Sequence, residues 1–236
     1  MFHPQGPTLF ELAQQALSST ERGYDLLAPK FEYTPFRTPD ELLHPVAPFL
    51  GEPGSVEAAL DLCCGTGATM RMLRPLCRSH VTGIDVSHGM LAEAERLLRG
   101  VQGEAEFRFL HQDVLEMTFD AEFEVATCFG ALGHILPRDQ DQFVDGIRRA
   151  LVPGGRLVFV TSDMPTALNP MWWVARGFNF AMHVRNAVLA PPFIMFYLLF
   201  TLPRAREILL RHGFSLEVKS GVYKRFPTAK LVVASR

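Results

Sequence analysis

The stretch Ala58-Ala59-Leu60-Asp61-Leu62-Cys63-Cys64-Gly65-Thr66-Gly67 reads as an apolar strand with an acid near its end, running into a tight turn of small residues. Glycines in such a turn let the backbone approach a ligand with no Cβ in the way. The acid selects the ligand. A carboxylate facing a pyrophosphate sets two negative charges at short range with little solvent between them, whereas a ligand carrying positive charge is attracted. A dinucleotide fingerprint would also need a third small residue three positions beyond Gly67, and Met70 stands there. Taken alone, the turn is also compatible with a plain strand-to-helix connection.

The pattern repeats further along. Met70, Leu73, Leu76 and Cys77 have helical spacing and lead to Val81-Thr82-Gly83-Ile84-Asp85, a second apolar run ending in an acid. Ser87 is a good N-cap for a helix through Arg99. Phe107-Arg108-Phe109-Leu110-His111-Gln112-Asp113 is a third run with an acid at its end. Successive strands thus bring Asp61, Asp85 and Asp113 to the carboxyl edge of one sheet, where open α/β sheets bind ligands; Asp85 stands where such a sheet offers a carboxylate to both ribose hydroxyls of an adenosine. Strand and helix alternate through Val158-Phe159-Val160, which requires a parallel sheet with right-handed crossovers.

The order and spacing of Asp61-x-x-x-Gly65-x-Gly67, Asp85, Asp113, Phe123-Glu124-Val125-Ala126-Thr127-Cys128 and Leu151-Val152-Pro153-Gly154-Gly155-Arg156-Leu157 resemble the class I S-adenosylmethionine-dependent methyltransferases. The match is strong over residues 55–162 and looser in the C-terminal strands. The resemblance implies a Rossmann-like α/β fold: a seven-stranded, mostly parallel sheet with one antiparallel edge strand, helices on both faces, and a cap of N-terminal helices plus an insertion after the fifth strand. It implies S-adenosylmethionine as cofactor, S-adenosylhomocysteine as product and no metal. The cofactor's ammonium and sulfonium suit Asp61. Asp61 and the turn Cys63, Gly65, Thr66 and Gly67 would hold the methionine end, Asp85 and Val86 the ribose, and Asp113 with Val114 the adenine. Met90 would pack on the adenine, while Phe129-Gly130-Ala131 and Tyr24 would close over the cofactor, Tyr24 having a core aromatic as its bland reading. Most relatives have Gly at the position of Cys63. The spelling Asp-Leu-Cys-Cys-Gly-Thr-Gly is similar to that of the ubiquinone and menaquinone C-methyltransferases, with Ala68 where an acid commonly follows.

At 236 residues the chain suits a single domain with a cap: N-terminal helices over 1–50, a cofactor-binding core over 55–162, a substrate lid over 163–202, and a closing helix and strands over 203–236. The net charge of -2 and the lack of a basic run with interleaved aromatics argue against nucleic acid as a partner. Adjacent Cys63 and Cys64 point to opposite faces and make a poor metal pair; with Cys77 and Cys128 they read as core thiols of a reducing compartment. The stretch from Met1 to Pro7 lacks the basic and apolar regions of a leader, so a cytoplasmic location is expected.

Residues 8–28 read as a helix broken at Gly23, 29–39 as a proline-containing loop, and 40–50 as a helix. A helix ending at Gly213 precedes strands over 215–220 and 230–235, which the family pairs antiparallel at the sheet edge. The insertion over 163–202 is rich in aromatics, yet its last apolar run is too short and too proline-broken to span a bilayer. Three readings stay open: packing of the cap, the wall of an apolar substrate pocket, and a membrane-resting patch through 186–202. Trp172, Phe178, Arg185 and Phe196 are the substrate-contact candidates, with Arg176 and Asn186 as further polar ones. His134 is the candidate base, its ordinary pKa suiting proton removal near neutrality, with Asp163 and His183 behind it. The expected activity is methyl transfer to a small, largely apolar acceptor such as a quinol, phenol, lipid-like molecule or secondary metabolite. The rival is a protein of this fold that only binds the cofactor, as a sensor or assembly partner.

Overall fold

A computed structural model describes residues 3–236; Met1 and Phe2, the start of the stretch read for a leader, lie outside it. Seven strands run in the order β3-β2-β1-β4-β5-β7-β6. They are β1 (Val56–Leu62), β2 (Cys77–Asp85), β3 (Glu106–His111), β4 (Phe123–Cys128), β5 (Leu151–Ser162), β6 (Ser215–Lys219) and β7 (Ala229–Ser235). β1 pairs in parallel with both β2 and β4, so the chain walks outward to β3 and then returns to the other side of β1. The return creates a switch point at the carboxyl ends of β1 and β4, where ligands bind in open sheets. The antiparallel strand expected at the edge is β7, one place in, paired antiparallel with both β5 and the edge strand β6.

The central strands are buried on both faces because helices cover both, which is why they read as near-continuous apolar runs. Ala58, Leu60 and Leu62 of β1 pack in a core with Phe123, Phe143 and Phe159, while Ala59 and Cys64 pack in the opposite core with Met70, Leu73 and Val81. Cys63 packs with the first core and Cys64 with the second, the divergence expected of neighbours on a strand end.

The helices differ from expectation where prolines and glycines act. α1 (Leu9–Leu17) and α2 (Thr20–Leu27) break at Ser18 and Ser19, not at Gly23. Ser19 caps α2 by accepting the Arg22 amide, and Gly23 sits inside α2 because a Cβ there would stand 2.7 Å from the Phe193 ring. The helix expected over 40–50 divides into α3 (Asp40–Leu43), a 3-10 turn and α4 (Ala47–Leu50), with Pro45 and Pro48 at each junction. Cys77 opens β2 instead of closing the preceding helix, α5 (Ala68–Leu73), since Pro75 ends the helical run. Ser87 caps α6 (His88–Leu98) as expected, accepting the Met90 amide at 3.1 Å. α7 (Gln140–Ala150) leads into β5, and α9 (Leu202–Arg211) into β6.

The insertion is one long helix, α8 (Pro170–Val188), and a return loop. The loop turns three of its rings inward, Phe193, Phe196 and Phe200, and leaves Tyr197 exposed. Exposed apolar side chains of the insertion include Trp173 (63% exposed) and Phe180 (70%) on α8, Leu168 before it, and Val188 and Tyr197 within residues 186–202. No helix among the described residues is long and apolar enough to cross a membrane.

Candidate active site

A cavity of about 570 Å³ opens at the carboxyl ends of β1 and β4. It is lined by Asp61, Asp85 and Asp113 together, with Cys63, Gly65 and Thr66 of the turn after β1. Asp61 is buried and accepts the Thr127 hydroxyl at 2.7 Å. Burial pushes its carboxyl up to about 7, the Thr127 hydroxyl opposing and the Asp85 charge adding to the rise.

Asp85 is wired into the loops on either side. One oxygen accepts the Gly65 amide and the other the Ser87 amide, each at 2.9 Å. Burial raises its carboxyl, and these two amides restrain the rise. Asp113 accepts the Leu115 amide at 2.9 Å. The two glycines of the turn do different work. Gly65, at φ 52°, has open space where a Cβ would project, so the cavity reaches its backbone. Gly67, at φ 81°, lies off the cavity wall; a Cβ there would stand 2.7 Å from Leu98 of α6, so this glycine serves helix packing. Cys63 takes a left-handed conformation at φ 52°, the backbone that makes glycine the usual choice there.

The cap closes the cavity. Tyr24 of α2 and His134, in the 3-10 turn Leu132–His134, both line it, and the Tyr24 hydroxyl lies 2.9 Å from His134 Nε2. His134 Nδ1 bonds the Ile194 carbonyl of the return loop. Val86, Met90, Val114 and Phe129 complete the wall expected from the sequence. Among the described residues no three His, Cys, Asp or Glu side chains converge as metal ligands.

Comparison with known proteins places this geometry. A methyltransferase-domain family model matches residues 59–155, from the middle of β1 into β5. The chain is 32% identical over 116 residues to a demethylmenaquinone methyltransferase of Lactobacillus johnsonii, covering 48% of this chain and 46% of that one. It is 30% identical over 122 residues to the O-methyltransferase cnsE of Penicillium expansum, covering 50% and 44%. The solved structure of DhpI in complex with SAH shares the fold across 96% of this chain and 98% of its own, with TM-score 0.66 at 22% identity. Residues 59–155 thus match a methyltransferase domain, and the chain as a whole shares its fold with a methyltransferase-like structure. The chain spans about half the length of the curated relatives it matches.

The insertion contributes differently from expectation. Trp172, Phe178, Arg185 and Phe196 do not line the cavity. Trp172 stacks under the Arg176 guanidinium, Phe178 meets the Tyr197 ring, and Phe196 is buried against His183. Arg185 is a clasp: it donates to the carbonyls of Ala16, Ser18 and Pro191, tying α8 to the α1–α2 junction and to the return loop. Asp163 pairs with Lys230 and is also off the wall. The insertion reaches the cavity through Pro191, Pro192 and Ile194. Sequence reading missed these, and also Phe31, Phe36 and Arg37 of the cap. The prolines of 29–39 announced a loop, and only the tertiary fold lays that loop over the site.

Proposed function

We propose that this protein transfers a methyl group from S-adenosylmethionine to a small, largely apolar acceptor of the quinol or phenol type. The observation that carries the reading is the cavity itself, which joins the carboxylates at the ends of β1 and β2 to apolar side chains of the cap (Phe31, Phe36, Leu43), of the connection after β4 (Ile135) and of the return loop (Ile194). The donor set suits the cofactor. Buried Asp61 offers a carboxylate to a cation, Asp85 keeps acceptor capacity for two ribose hydroxyls beside its amide bonds, and the open space at Gly65 admits the amino-acid end. Met90 and Val114 offer apolar surface to a purine and Asp113 an acceptor for its amino group.

When bound, the cofactor supplies a methyl group already activated by the sulfonium. The chain then has to hold the acceptor in line and keep water out, work suited to an apolar wall under a cap. The names of the two relatives, a demethylmenaquinone methyltransferase and an O-methyltransferase, favour an aromatic hydroxylated acceptor. The test is a screen of quinols, phenols and isoprenoid-like lipids with labelled S-adenosylmethionine, read by mass spectrometry. Methylation of one class with release of S-adenosylhomocysteine is expected. Cofactor binding without turnover of any acceptor would point to the non-catalytic role instead.

A further inference from the structure

The hydrogen bonds around His134 settle which of its nitrogens carries the proton. A carbonyl oxygen only accepts, so the Ile194 carbonyl requires a proton on Nδ1, which leaves Nε2 of the neutral ring bare to accept from the Tyr24 hydroxyl. The carbonyl is itself anchored from several elements. The Ile194 amide donates to Thr20 Oγ1 at 2.7 Å, and the adjacent Phe193 is clasped by Asn186 of α8 through two bonds of 3.0 Å. Phe196 donates to the carbonyl of Gly133, beside His134, at 2.9 Å. The tautomer is thus imposed by the cap, the insertion and the core together.

This arrangement alters the role read for His134. Its basic nitrogen is covered, so an acceptor in the cavity meets the Tyr24 oxygen, which keeps unused lone pairs. We propose that Tyr24 and His134 form one proton relay serving an acceptor with a weakly acidic hydroxyl, Tyr24 touching the acceptor and His134 storing the proton. The proposal rests on the methyl-transfer reading above and specifies its acceptor as an oxygen acid.

The step balances. The acceptor oxygen bonds the methyl carbon as the methyl–sulfur bond breaks and leaves its electron pair on sulfur. The acceptor's proton passes to Tyr24 Oη while the proton of Tyr24 passes to His134 Nε2, leaving an imidazolium that later loses its proton to solvent. The resting states agree with this direction of transfer. Burial lowers the His134 pKa, with the Ile194 carbonyl opposing, so the ring waits neutral. Burial, with the Asp85 charge next, holds the Tyr24 phenol well above its ordinary value, so it waits protonated.

The experiment compares wild type, Tyr24→Phe, His134→Gln and the double variant on a panel of 1,4-naphthoquinol, catechol and simple phenols, beside amine and thiol acceptors. Calorimetric binding of S-adenosylhomocysteine and histidine ¹⁵N NMR are measured on each protein. The expected result is turnover confined to the hydroxylic acceptors and a loss in kcat of about 100-fold or more in each single variant with KM nearly constant. The double variant should lose no more than the worse single, because the two groups act as a unit. In wild type the His134 signals should show the Nδ1–H tautomer, and Tyr24→Phe should shift the Nε2 resonance toward that of an unbonded nitrogen. A bond that only tethers the cap would lower the melting temperature of Tyr24→Phe and leave kcat unmoved; that result overturns the relay. Losses that multiply in the double variant, or preferred turnover of amines or thiols, overturn it too. Failure of wild type to bind S-adenosylhomocysteine would instead overturn the methyl-transfer reading.

Discussion

Glu32 of the cap accepts the Thr66 hydroxyl of the glycine turn at 2.6 Å, and its other oxygen takes the Arg37 guanidinium at 2.9 Å. Asp25 makes a second tie, accepting Ser87 Oγ at 2.6 Å and the Gly89 amide at 2.8 Å where α6 begins. A carboxylate at a helix N-terminus is favourably placed against the helix dipole. The cap is therefore fastened by carboxylates to the turn after β1 and to the turn after β2.

Asp25→Ala should release the cap from α6. Two bonds to a partly buried carboxylate are lost, at a cost of about 1–3 kcal/mol. Thermal melting should fall by several degrees, and stopped-flow displacement should show faster dissociation of S-adenosylhomocysteine. Melting and dissociation both unchanged would mean that the cap is held by apolar packing alone.

Asp61 sets a pH dependence on cofactor binding. Its folded-state pKa, pushed up to about 7, lies above the unfolded value, so burial of the protonated form favours folding at low pH and that contribution is lost as pH rises through the folded pKa. A cationic ligand reverses the preference by holding the ionised form, so binding releases a proton. Affinity for S-adenosylmethionine should tighten by about tenfold per pH unit between about pH 5 and pH 7 and level off above. Asp61→Asn should flatten this slope and weaken binding, while melting no lower than wild type at alkaline pH. Titration calorimetry across that range decides it, and a steep slope surviving in Asp61→Asn would assign the proton elsewhere.

Asp85→Ala should weaken cofactor binding at least about tenfold through loss of its ribose acceptors. It should also lower the melting temperature of the ligand-free protein by several degrees. The reason is that Asp85 already holds the Gly65 and Ser87 amides, at 2.9 Å each, and those buried donors would be left unpaired. Asp85→Asn, which keeps one oxygen acceptor, should fall between the two in both measurements.

The strand-borne half of this site was legible in the sequence because its signals are local. An acid at a strand end has its position set by the strand, so Asp61, Asp85 and Asp113 could be placed on one edge from spacing alone, and all three do line the cavity. Ser87 as a cap follows from residue type in the same way. The cap and the insertion were not legible at that level. Trp172, Phe178 and Phe196 carry the composition of a pocket wall, yet Trp172 packs on Trp173 and Arg176 of its own helix, Phe178 meets Tyr197 and Phe196 of the return loop meets His183, the loop being held at Tyr197 and Phe193 by Asn179 and Asn186. Only side-chain-to-backbone bonds across the insertion decide that Pro191, Pro192 and Ile194 face inward, and no periodicity announces them. Gly67 misled for a related reason: its conformation meets the turn's demand, while its missing Cβ serves Leu98.

That placement separates two kinds of insertion variant. Ile194→Ala, on the cavity wall, should raise the acceptor's KM with a small effect on melting. Phe178→Ala, packed on Tyr197 away from the cavity, should lower the melting temperature with KM nearly unchanged. Steady-state kinetics beside thermal melts of the two variants check the assignment, and the opposite pattern would return the pocket wall to α8.

Isothermal titration of the folded protein with S-adenosylmethionine and S-adenosylhomocysteine tests the central claim most directly. Saturable binding of one molecule per chain is expected, weakened at least about tenfold by Asp85→Ala. Absence of binding by protein that melts cooperatively, or binding indifferent to Asp85, would contradict the assignment of this cavity to the methyl donor.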